Sequence, residues 1–143
     1  MKNAIRIIAL LLFVFLLQKA FSQVKYSAGD PYIFDGIDIW SFNSEGWNKQ
    51  NEFTYVLNKM DYFDIVQFVI PDMEGGGYYF YRTENAKVNT YEEILKTFTK
   101  DFGKPYYSDK WQSTWIIDST RSVFLNYGSE NLYIYFQWTE AGC

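Results

Sequence analysis

The chain has 143 residues, with 17 acidic against 13 basic side chains, no histidine, one cysteine, and 22% of its positions aromatic. A net charge of −4 without clustered Lys and Arg excludes binding driven by counterion release from nucleic acid. The missing histidine removes Ser-His-Asp triads, Cys-His pairs, His-based zinc sites and the usual neutral-pH proton shuttle.

Residues 1–22 have the layout of a cleavable export signal: Lys2 and Arg6, an unbroken apolar run from Ile7 to Leu17, then a more polar end with Ala20 and Ser22 at the small-residue positions before a cut. That run is about half the length a bilayer-spanning helix needs, so it predicts export without a stable membrane anchor. Cleavage places the new N-terminus at Gln23. Without Lys2, Arg6 and Lys19 the 13 basic groups fall to 10 against 17 acidic ones, a formal charge of −7. Residues 23–143 then form one domain in the periplasm or outside the cell, large enough to bury a core without disulfides. The only cysteine, Cys143, can serve a disulfide between two chains but none within one.

The segment Pro31 to Trp40 alternates apolar residues around Asp35-Gly36, the pair that two-residue turns favour, and predicts a β-hairpin with its tip there. Residues 43–50 are polar and turn-like. Phe53, Val56, Leu57 and Met60 follow at helical spacing, although Phe53, Tyr55 and Leu57 also alternate; the reading leans to a short helix. Phe63 to Ile70 is β-branched and aromatic and stops at Pro71, which predicts a strand. It pairs with the aromatic run Tyr78 to Tyr81 across the loop Asp72 to Gly77, whose glycines read as a mobile hairpin loop and lack the lysine and hydroxyl of a phosphate-binding loop.

From Tyr91 to Phe102 the spacing predicts an amphipathic helix. Thr90 and Glu93 fit a capping box, Tyr91, Ile94, Leu95, Phe98 and Phe102 form one apolar stripe, and Gly103 with Pro105 ends the helix. Three alternating segments follow, Gln112 to Ile117, Ser122 to Tyr127 and Leu132 to Trp138, joined by tight polar turns as an antiparallel meander. The fold class is therefore α+β: an antiparallel sheet of hairpins plus a C-terminal three-strand meander, with one or two helices on one face. Aligning Glu52 with Glu92 and Asp61 with Asp101 leaves too few other matches to indicate an internal repeat.

The helix followed by Phe102-Gly103-Lys104-Pro105 and by Trp111 and Trp115 resembles a pattern in small exported bacterial α+β modules, the outer-membrane assembly lipoproteins and β-lactamase-inhibitor-like domains. The resemblance covers the chain from Tyr91 onward and implies an exported α+β module. The cysteine that such lipoproteins carry after the signal is absent here.

No catalytic, metal-binding or cofactor motif emerges, since the acids match no calcium-loop spacing. If Leu132, Ile134 and Phe136 face the helix, alternation turns Tyr133 and Tyr135 to the other side, where Tyr79, Tyr81, Trp111 and Trp115 are candidates to join them. Such a surface suits a protein partner or a glycan, because each ring offers apolar area and a hydrogen-bonding edge. The expectation is a non-enzymatic exported binding domain with those six residues as its ligand-binding set. The alternatives are a small hydrolase of cell-surface glycans, using two carboxylates from Asp35, Asp38, Asp61 and Asp64, and a structural envelope protein.

Overall fold

The computed structural model describes residues 29–58, 63–82, 88–128 and 131–139. The expected export signal, Asp61 and Cys143 lie outside them. The Asp35-Gly36 pair does what its chemistry suggests: both residues take positive φ, 48° and 80°, and close a hairpin between β1 (Ile33–Phe34) and β2 (Ile37–Asp38).

All other strands among the described residues join one antiparallel sheet of eight: β3 (Asn48–Lys49), β4 (Thr54–Asn58), β5 (Ile65–Val69), β6 (Gly76–Arg82), β7 (Tyr107–Ser108), β8 (Gln112–Ile116), β9 (Arg121–Tyr127) and β10 (Leu132–Trp138). Their spatial order is β3-β4-β5-β6-β10-β9-β8-β7. Two four-stranded meanders thus meet last strand to last strand, at the β6–β10 pair. The chain is α+β, with α1 (Val88–Phe102) the one helix among the described residues.

Two expectations about the chain between β3 and β6 need correction. Residues 54–58 are strand β4, not helix. Both periods fit that segment, and pairing with β3 and β5 decides it: Leu57 opposite Val66 and Tyr55 opposite Phe68 turn inward, while Val56 and Asn58 turn out. The glycine loop is also less of a loop than expected, because Gly76 and Gly77 open β6 and are buried. Gly77 has φ 132°, and a Cβ there would strike the carbonyl oxygen of Phe136 on β10, so glycine is what lets the two central strands approach.

Helix α1 begins at Val88, so Thr90 lies inside its first turn rather than at its cap. Its far end is as expected: Gly103 has φ 88° and its N–H returns to the Thr99 carbonyl at 3.0 Å. The stripe Tyr91, Ile94, Phe98 and Phe102 is buried against the sheet, with Leu95 partly so. The β1–β2 hairpin covers the remainder of that inner face. Phe34 sits among Phe63, Phe80, Phe98 and Phe136 with centroids 5.1 to 5.7 Å away, and each fully buried ring of this kind contributes about 1.5–3 kcal/mol by leaving water. Polar ties fix the cover in place. The Tyr32 hydroxyl donates to Asp101 at 2.7 Å, and Tyr91 hydrogen-bonds the buried Ser113 at 3.0 Å.

Candidate functional site

One face of the sheet is thus spent on the core, and alternation sets what lies on the other. In β10, Leu132, Ile134 and Phe136 are buried inward and Tyr133, Tyr135 and Gln137 point out. Register then carries the outward set across the sheet. One row runs Val56, Gln67, Tyr79, Tyr135, Phe124, Thr114, and the next runs Asn58, Ile65, Tyr81, Tyr133, Asn126, Gln112. A third row contains Val69, Gly77, Gln137, Ser122 and Ile116. None of these positions is charged. Tyr133 is 40% exposed and Ile116 57%, and Ile65 is exposed as well, in contrast to the buried inner set.

The tyrosines form a stack. The Tyr79 and Tyr135 rings lie 3.8 Å apart and within 13° of parallel, Phe124 flanks Tyr135 at 5.8 Å and 24°, and Tyr81 runs parallel to Tyr79 at 6.2 Å. Tyr81 and Tyr133 lie 6.3 Å apart. Rings stacked across strands stand on edge, so Tyr135 gives its flat sides to Tyr79 and Phe124 and shows its rim and hydroxyl outward. Burial raises the pKa of Tyr135 above the ordinary tyrosine value, helped by its hydrogen bond to Tyr79 and by the charge of Asp72 at the margin. Burial raises Tyr81 too, followed by its tyrosine neighbours. Beside the stack lies an open depression of about 340 Å³ lined by Gln112, Phe124, Asn126, Tyr133, Tyr135 and Gln137.

Of the six expected residues, Tyr79, Tyr81, Tyr133 and Tyr135 are brought together. Trp111 and Trp115 are not. Trp115 is 1% exposed on the inner face, edge-on to Phe98, and its Nε1 donates to the Gly103 carbonyl at 3.0 Å, pinning the end of α1 to β8. Trp111, 48% exposed, stacks on Tyr127, itself a neighbour of Tyr91 from α1, and so belongs to the rim of the inner side. Phe124 and the amides Gln112, Asn126 and Gln137 were missing from the expected set. Alternation along β9 and β10, where Val123, Leu125, Ile134 and Phe136 turn inward, carries a signal for Phe124, Asn126 and Gln137, whereas the outward side of Gln112 follows only from the register of β8 on β9.

The carboxylates have other work. Asp38 accepts from the Tyr32 and Trp40 N–H groups at 3.3 Å and from the Ser41 hydroxyl at 3.0 Å. Asp72 holds the β5–β6 turn through Glu74 and Gly75. Asp109 binds Trp111 and Gln112 and is bound by the Tyr107 hydroxyl at 2.7 Å, which with the two backbone bonds lowers its pKa. Asp118 fastens the β8–β9 turn and pairs with Arg121 at 2.7 Å. A second depression, of about 260 Å³ beside the β1–β2 hairpin, holds the single carboxylate Asp38. Asp35 sits at the hairpin tip and Asp64 is exposed ahead of β5. Among the described residues, no pair of acids faces another across either depression, as a two-carboxylate hydrolase needs.

Comparison with known proteins finds no matching family, curated protein or solved structure.

Proposed function

We propose that this is an exported, non-enzymatic binding domain whose uncharged tyrosine face docks on a protein surface. The observation that carries the reading is the outer face itself, on which three rows of strand positions hold aromatic, aliphatic and neutral polar side chains and no charge. Tyr and Phe at the centre of a patch from which charged residues are depleted is the composition of interface cores. A protein fits better than a glycan because sugars stack on open ring faces, and the faces of Tyr135 are occupied by Tyr79 and Phe124. Export rests on the signal-like residues 1–22.

The test is photo-crosslinking in the producing cell, with a photoreactive phenylalanine at Gln112 or Asn126 on the face, or at Lys96 on the wet side of α1. Protein adducts are expected from the two face positions and not from Lys96. Adducts from Lys96 alone, or retention of the domain on neutral polysaccharide with no protein adduct at all, would refute the reading.

A further inference from the structure

We infer that the partner is a second copy of this chain, packed sheet on sheet across the tyrosine face to close a two-layer β-sandwich; this rests on reading that face as the docking surface.

Charge is the first reason. Each chain is acidic, −4 by formal count over its 143 residues and −7 without residues 1–22, so two copies repel wherever their carboxylates meet. The outer face is where like-charged copies can touch without burying a charge or opposing two of the same sign. Its polar groups point the same way. Phenol and aliphatic hydroxyls and the amides of Gln67, Gln112, Asn126 and Gln137 each both donate and accept hydrogen bonds, so each can pair with its own kind.

Topology is the second. The sheet reads as four strands and four strands about the β6–β10 centre. A two-fold axis running along the strands there lays β6 of one copy over β10 of the other. Tyr79 and Tyr81 then meet the other copy's Tyr135 and Tyr133 at the middle of an isologous contact. The same operation puts β5 over β9, so the exposed Ile65 of each copy reaches toward the depression beside Asn126 of the other. The six longer strands at about 4.8 Å spacing and about five residues at about 3.3 Å give roughly 500 Å² per copy. Closure therefore buries about 1,000 Å² in all, the lower bound for a specific interface. Edge-to-edge growth is blunted, because the outermost strands β3 and β7 are two residues each.

Sedimentation of the purified wild-type domain at micromolar and higher concentration should give twice the mass of one chain, falling to one on dilution. Hydroxyl-radical labelling of Tyr133 and Tyr135 should rise over the same dilution while that of Trp111 does not. Ile65→Lys alone should be monomeric, and mixing it with Asn126→Asp should restore the double mass, since the axis brings those two positions together. A wild type that stays monomeric throughout, or a dimer whose labelling changes elsewhere, overturns the inference. A monomer that still gives crosslinks from Gln112 to another protein leaves the docking face standing and removes only the second copy; a monomer with no such crosslinks removes both.

Discussion

Tyr135 has its ring between two others and its hydroxyl against Tyr79, and the proton it holds is harder to remove for it. The same direction recurs at Tyr32, where burial and then the hydrogen bond to Asp101 raise the pKa, and at Tyr78, where burial and then the charge of Asp38 do so. These groups are neutral when protonated. Above the ordinary value of 10.0 the unfolded chain releases protons that the folded chain keeps, so their stabilisation is complete below that pH and is lost progressively as pH rises from there toward the raised folded values. Denaturant melts should be flat between about pH 6 and pH 9, with no histidine to titrate there, and should weaken steeply above about pH 10. Loss beginning near neutrality would contradict this. At the acid end, the burial of Asp118 is outweighed by hydrogen bonds from Thr120 and Arg121, so its pKa is lowered and its contribution fades only as pH falls below the ordinary carboxylate range.

Among the elements, α1 makes the plainest separation between packed and wet positions. Phe98 is fully buried against Trp115 and Phe136, whereas Glu92 is exposed. Phe98→Ala should cost about 3–5 kcal/mol and Glu92→Ala well under about 1 kcal/mol in denaturant melts, and equal losses would mean the stripe does not face the sheet. Elements were legible where local chemistry admits one answer. Asp35-Gly36 accepts positive φ, Gly103 ends the helix, and period-two patterning marks β8 to β10. They were not legible where it admits two. The segment 54–58 fits both periods, and only its neighbours in the sheet choose the strand. The start of α1 at Val88 likewise overrides a capping box at Thr90.

For the whole molecule, the sheet divides the aromatic content into two layers of different use. Phe34 of the hairpin and Phe98 of the helix interlock with Phe63, Phe80 and Phe136 on the inner side of the sheet, while Tyr79, Tyr81, Tyr133 and Tyr135 stack on the outside. Half of this was visible in the alternation of residues 132–138. The tryptophans were misplaced because the assignment of a strand's two faces depends on register with its neighbour, here Trp115 opposite Val123, which no pattern within β8 states. The acidic residues off the face follow from the same geometry, since Asp72, Asp109 and Asp118 fasten turns at the sheet's ends and Asp38 ties the separate β1–β2 hairpin to Ser41.

The central claim is that the outer tyrosines serve association more than folding, and the double variant Tyr133→Ala/Tyr135→Ala tests it most directly. Removing two partly exposed rings leaves Leu132, Ile134 and Phe136 in place on the inner face. A thermal melt of the variant should therefore show a folded protein with a modest loss of stability, on the order of 1–3 kcal/mol for the lost stacking and area. The protein adduct formed from Gln112 should disappear in the same variant. A variant that unfolds outright would make the outer rings a second core layer, and one that folds and still gives the adduct would place the docking surface elsewhere.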